Sequence, residues 1–109
     1  MLFRRIFKIA SRLFAGGEAE HVYSAEVALR LLSTLHAIGD PDEFFVCKHD
    51  SPEHLHVAGS PEILGVGYQD EKGNLYDLAD PTLREVEELI RGLYESDCEI
   101  LEMADWCRL

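Results

Sequence analysis

The chain has 109 residues, 47% of them hydrophobic, and 10 Lys+Arg stand against 21 Asp+Glu for a formal net charge of −11. That length suits one domain with one thin core and leaves no room for a deep cleft between two domains. The acidic balance argues against nucleic-acid binding, which needs a basic face for phosphates, and favours solubility and basic protein partners.

The charge is unevenly placed. Residues 1–17 hold Arg4, Arg5, Lys8 and Arg12 and no acid, whereas residues 18–109 hold six basic and 21 acidic groups, a net charge of −15. A basic N-terminal segment, 1–17, is thus set apart from a single domain over 18–109. Along residues 2–14, Arg4, Arg5, Lys8, Ser11 and Arg12 gather in one helical arc, and Leu2, Phe3, Ile6, Phe7, Ile9, Leu13 and Phe14 fill the rest. The pattern predicts an amphipathic helix closed by Gly16 and Gly17. Such a helix either packs its wide apolar face on the body, the favoured expectation, or lies on an anionic membrane surface. Lys8 and Arg12 interrupt the apolar run, so it matches neither a signal peptide nor the roughly 20 apolar residues of a membrane span, and a cytoplasmic protein is expected.

Ser24 is positioned to cap a helix over residues 25–38, with Glu26 in its first turn and Val27, Ala28, Leu31, Leu32, Leu35 and Ile38 facing the core. Gly39 and the turn Asp40-Pro41-Asp42 end it. Alternating segments 44–49 and 54–58 flank a four-residue turn, Asp50-Ser51-Pro52-Glu53, and predict a hairpin. Residues 62–69 and 74–78 flank Asp70-Glu71-Lys72-Gly73 and predict a second, with a positive φ at the glycine. A third helix opens at Asp80-Pro81-Thr82, with Asp80 as cap or Thr82 and Glu85 as a capping box. Leu83, Val86, Leu89, Ile90 and Leu93 would face the core, Gly92 would mark a close contact, and residues 98–103 would form a last strand. The expected fold is α+β: an antiparallel sheet of about four to five strands with helices packed on one face, plus the N-terminal amphipathic helix.

The sharpest local constellation is Cys47-Lys48-His49-Asp50-Ser51-Pro52-Glu53-His54-Leu55-His56. Pairing 49 with 54 and 47 with 56 would put Cys47, His49, His54 and His56 on one face of the hairpin, with Val46, Leu55 and Val57 on the other. Those are zinc ligands by type, but a flat sheet face seldom closes a tetrahedron, so the expectation is a histidine-rich solvent face with no metal and no cofactor. No catalytic set is expected: there is no Gly-x-Ser-x-Gly elbow, and Cys47 beside His49 lacks an orienting third group. Gly65-Val66-Gly67 has neither the third glycine nor the Lys-Ser/Thr of a phosphate loop and suggests a close backbone approach or a bulge. Three cysteines with no Cys-x-x-Cys pair suggest reduced thiols.

Acidic groups crowd the expected turns. Asp40, Asp42 and Glu43 precede the first hairpin, Asp50 and Glu53 lie in its turn, and Asp70 and Glu71 lie in the second, flanked by Tyr68 and Tyr76. Turn tips and amphipathic aromatics are where partner-binding residues concentrate. The plainer alternative is a set of solvated turns with a tyrosine pair bracing the hairpin.

Taken together, Phe44-Phe45-Val46, Leu55-His56-Val57-Ala58-Gly59 and Val66-Gly67-Tyr68, then Glu85-Val86 with Ile90 and Tyr94, then Trp106 with Leu109, form an ordered set. Over residues 24–109 this set is similar to the immunity proteins of bacterial polymorphic and contact-dependent toxin systems. The resemblance implies a non-enzymatic inhibitor that neutralises one cognate toxin, commonly a nuclease or nucleobase deaminase, by covering its basic nucleic-acid channel. It implies a monomer that forms a heterodimeric complex, and it transfers no catalytic residues. The alternatives are a small acidic adaptor or secretion chaperone and, beyond that, a Cys/His metal-binding module.

Overall fold

The computed structural model describes residues 20–34, 42–60 and 63–109. The chain runs β1 (Glu20–Val22), α1 (Ala25–Ser33), β2 (Asp42–Cys47), β3 (His54–Ser60), β4 (Ile63–Gln69), β5 (Leu75–Leu78), α2 (Leu83–Leu93), a 3-10 turn (Ile100–Glu102) and β6 (Cys107–Arg108). The strands form one six-stranded sheet in chain order. The fold is therefore α+β, but the sheet is mixed and wider than expected. β1 pairs with β2 in parallel, and every other neighbouring pair is antiparallel. The physical reason is the connection: α1 lies between β1 and β2, and a helical crossover returns the chain in the same direction. β1 leaves little trace in sequence, because only Val22 of its three residues is buried. The expected helix over residues 2–14 lies outside the described residues.

Both helices pack on one face of the sheet. Alternation places Phe44, Val46, Leu55, Val57, Leu64, Val66, Tyr68 and Leu78 on that face, against Ala28 and Leu32 of α1 and Val86, Leu89, Ile90 and Leu93 of α2. Burying one such leucine or isoleucine stabilises by roughly 1.5–3 kcal/mol. Ser24 caps α1 by accepting from the Val27 amide at 3.2 Å, and Thr82 and Glu85 form a reciprocal capping box on α2. Two expected core residues point outward instead: Val27 and Leu83 sit on the outer flanks of their helices, 41% and 42% exposed. Described helix α1 ends at Ser33, where the Thr34 amide bonds back to Leu31; residues 35–38 lie outside the described residues.

Two further expectations are corrected. The β2–β3 register pairs Cys47 with His54 and Phe45 with His56, two residues away from the expected pairing, because residues 48–53 are all spent on the turn. Asp50 helps close it at φ 60°, a conformation that aspartate tolerates better than most residues. Residues 98–103 do not form a strand. Ile100 buries itself in the helix-side core and the Trp106 indole donates to its carbonyl at 2.8 Å, so the segment winds into the 3-10 turn and Cys107–Arg108 takes the place beside β5.

Gly73 closes the β4–β5 turn at φ +87°, as expected. Gly92 does mark a close contact: a Cβ there would lie 2.7 Å from Met103 Sδ and 3.0 Å from its Cε. Met103 is 37% exposed and flexible, so it can move aside. Gly92→Ala should therefore change stability by less than about 1 kcal/mol, the clash offset by better helix propensity; a larger loss in urea unfolding would mean that Met103 is held in place.

Candidate functional site

An open cleft of about 530 Å³ lies at the end of the sheet where both long turns meet the loop after α2. The β2–β3 turn contributes Lys48 and Glu53, the β4–β5 region contributes Tyr68, Asp70, Glu71, Lys72 and Tyr76, and the loop after α2 contributes Glu95, Cys98 and Glu99. Five carboxylates thus stand against two lysines around one opening. Five of the nine expected binding residues converge here: Glu53, Tyr68, Asp70, Glu71 and Tyr76.

Their roles differ. Glu53 is buried, and its side chain links two walls: Lys48 Nζ lies 3.0 Å from Oε1, and the Tyr68 hydroxyl donates a very short hydrogen bond to Oε2. Tyr68 itself belongs to the core, stacked on Tyr76 at 6.0 Å and tilted against Trp106 at 5.7 Å. Burial, then the bond to Glu53, holds its phenol far above the usual tyrosine range, so it stays protonated as a donor. Asp70 organises the second turn, accepting from the Lys72 and Asn74 amides at 2.9 Å each, from Asn74 Nδ2 at 3.0 Å and from Tyr76 Oη at 3.3 Å. Desolvation pushes its carboxyl up, but those hydrogen bonds outweigh it and hold the group below the ordinary value. Glu71 and Glu99 are exposed at the rim.

The opening is acidic, and its one thiol is held protonated. The Cys98 thiol donates to Glu95 at 3.1 Å, and that bond, with some desolvation, pushes its pKa up and away from thiolate. Tyr94, next to the lining residues Leu93 and Glu95 but not itself lining the cleft, ties the end of α2 to β2 by donating to the Cys47 carbonyl at 2.5 Å, its phenol pushed up to about 12, chiefly by burial.

The remaining expected residues lie elsewhere. Asp50 is exposed in the β2–β3 turn beside the cleft but does not line it. Glu43 sits at the far end of β2, 3.3 Å from His56 Nε2. Asp40 and the side chain of Asp42 lie outside the described residues. Sequence reasoning missed Lys48, Lys72, Glu95 and Glu99. The last two follow α2, and only the packing of that helix brings its exit loop opposite the hairpin turns.

The histidines occupy the second face of the sheet. His54 and His56 share it with Cys47, since a two-residue shift of register preserves the face. It is not an open solvent face: His56 is 7% exposed. The rings surround Phe45, with His21 stacked on it at 4.8 Å, His56 at 4.0 Å and His54 edge-on at 5.5 Å. His49 leaves the group for the turn, where it stacks on Tyr23 at 4.7 Å. Among the described residues no group of three or more His, Cys, Asp or Glu is placed to hold a metal ion, and no helix is long and apolar enough to cross a membrane.

In comparisons with known proteins, the chain matches no family model, no curated protein and no solved structure.

Proposed function

We propose that this chain is a toxin-neutralising immunity protein that binds one basic partner directly and blocks it with the acidic end of its sheet. The observation that carries the reading is the cleft, where carboxylates from three chain segments outnumber lysines and present an anionic surface. A nucleic-acid-acting toxin has a basic substrate channel, and an acidic protein seated there excludes the phosphate backbone. Complementary charge of this kind chiefly accelerates association. The chain acts as a monomer in a heterodimeric complex. Its three free thiols, Cys47, Cys98 and Cys107, suit the reducing cytoplasm in which such an inhibitor works.

The test is capture with the tagged chain from its native cells at low and high salt, with partners identified by mass spectrometry. One basic toxin-like protein, released as salt rises, is the expected result. Several secreted proteins would indicate a chaperone instead, and an empty capture would remove the inhibitor reading. With the partner in hand, the double variant Glu71→Lys/Glu99→Lys should slow association by about tenfold at low salt and leave folding unchanged, because both residues are exposed rim charges.

A further inference from the structure

The loop after α2 carries an apolar step inside an acidic border. From Tyr94 to Cys107 the chain holds Glu95, Asp97, Glu99, Glu102 and Asp105 and no lysine or arginine, and all five carboxylates are exposed. Among the described residues none of the five takes part in an ion pair, whereas on α2 itself Glu87 and Glu88 are paired with Arg91 and Arg84. Leu101 and Met103 stand in the same segment, 39% and 37% exposed. Ile100 anchors it by burying itself in the helix-side core, and the Trp106 indole ties down the Ile100 carbonyl. Met103 rests on Gly92 of α2, where a Cβ would come within 2.7 Å of its Sδ. Leu101 lines the cleft together with Gly92. The side chain missing at Gly92 thus seats both groups against the helix, and they form one apolar step at the edge of the cleft.

We infer that this step seats a cationic amphipathic segment of the partner, with apolar side chains on Leu101 and Met103 and lysines or arginines against Glu95, Glu99 and Glu102. The inference rests on the inhibitor reading for the partner's existence and adds the chemistry that the partner presents. Charge complementarity selects the occupant. An uncharged apolar segment would take water from the carboxylates and return nothing to them. A purely cationic segment would lay hydrated charge over two apolar groups and gain nothing from their burial. Of the two lysines around the cleft, Lys48 is spent on Glu53 at 3.0 Å, and Lys72 belongs to the β4–β5 turn rather than to this segment. Methionine adapts its shape to varied apolar neighbours. The division of labour is then physical: the border charges speed encounter, and the apolar step lengthens the life of the complex.

Titration of the isotope-labelled full-length chain with two synthetic peptides tests this. One carries leucine and lysine on opposite faces of a helix; the other has alanine in place of each leucine, keeping the charge and the tendency to form a helix. The leucine peptide is expected to bind roughly tenfold more tightly and to shift the amide signals of Gly92, Glu95, Glu99, Leu101 and Met103. Rising salt should weaken both peptides and leave their ratio unchanged. In Leu101→Ser/Met103→Ser the two peptides should bind equally, while Trp106 fluorescence reports an intact fold. Glu99→Gln/Glu102→Gln, at two exposed positions, should weaken both peptides alike. Equal affinities for the parent chain would overturn the proposal. So would a ratio that survives in Leu101→Ser/Met103→Ser, or shifts centred on the exposed Leu75 and Leu109 at the β5–β6 edge. The inhibitor reading stands or falls separately. An empty capture from native cells removes it without touching the peptide ratio, and a captured toxin with equal peptide affinities would keep it and remove this seat.

Discussion

Replacing Tyr68 by phenylalanine should lower stability by about 3 kcal/mol, measured by urea unfolding at neutral pH, a large share of the roughly 5–15 kcal/mol that holds a domain of this size. The ring is retained, so its packing on Tyr76 and Trp106 and its 6% exposure should persist. What is lost is the donor to Glu53 Oε2. Glu53 is 9% exposed, and Lys48 reaches only the other oxygen. Stranding a buried charged acceptor costs more than deleting both partners together. The double variant Tyr68→Phe/Glu53→Leu should therefore recover part of the loss, giving a coupling energy of about 1–2 kcal/mol in the cycle. A single variant within about 0.5 kcal/mol of the parent would mean that water reaches Glu53 and replaces the phenol. The result also separates support from surface: Tyr68 and Glu53 shape the cleft, while Glu71 and Glu99 are exposed charges at its rim.

Elements with strong local codes were legible from sequence, and elements made by distant contacts were not. Ser24 and the Thr82–Glu85 box marked two helix starts because capping is settled within four residues. Alternation in β2 and β3 identified the core face, and a pairing error of two residues left that assignment intact. The second face was harder to read. Its cysteine and histidines suggested solvent exposure, and nothing within those strands shows that His56 is only 7% exposed. β1 is three residues long and exists because β2 offers it a free edge. The 3-10 turn at Ile100 and strand β6 depend on Trp106 folding back over the chain, a contact with no local signature. The cleft was half legible for the same reason. Turn carboxylates announced one side of it, whereas Glu95 and Glu99 join only because α2 packs across the sheet.

Acid should destabilise this protein well before its carboxylates titrate, and His56 is the cause. Burial, with repulsion from His54 and His21, lowers its pKa from 6.5 to about 3. Above pH 6.5 the imidazole is neutral in the folded and the unfolded chain, so the stability it permits is fully present. As pH falls, the unfolded chain takes up a proton that the folded chain refuses, and the balance tilts toward unfolding down to about pH 3. At pH 5 the loss is about 2 kcal/mol. Among the described residues, the groups facing the ring are Glu43 at 3.3 Å, His21, His54 and Phe45. Of these, only the carboxylate of Glu43 would favour the imidazolium, and withdrawal of both side chains from water opposes that pair. His56→Gln removes the titration, so the difference between the two pH–stability curves isolates this residue from every other group. A gap that changes by about 2 kcal/mol between pH 7 and pH 5, with the parent losing more, is expected. The opposite sign would show that Glu43 holds His56 as a charged partner, and the second face would then be bound by an ion pair rather than by packed neutral rings.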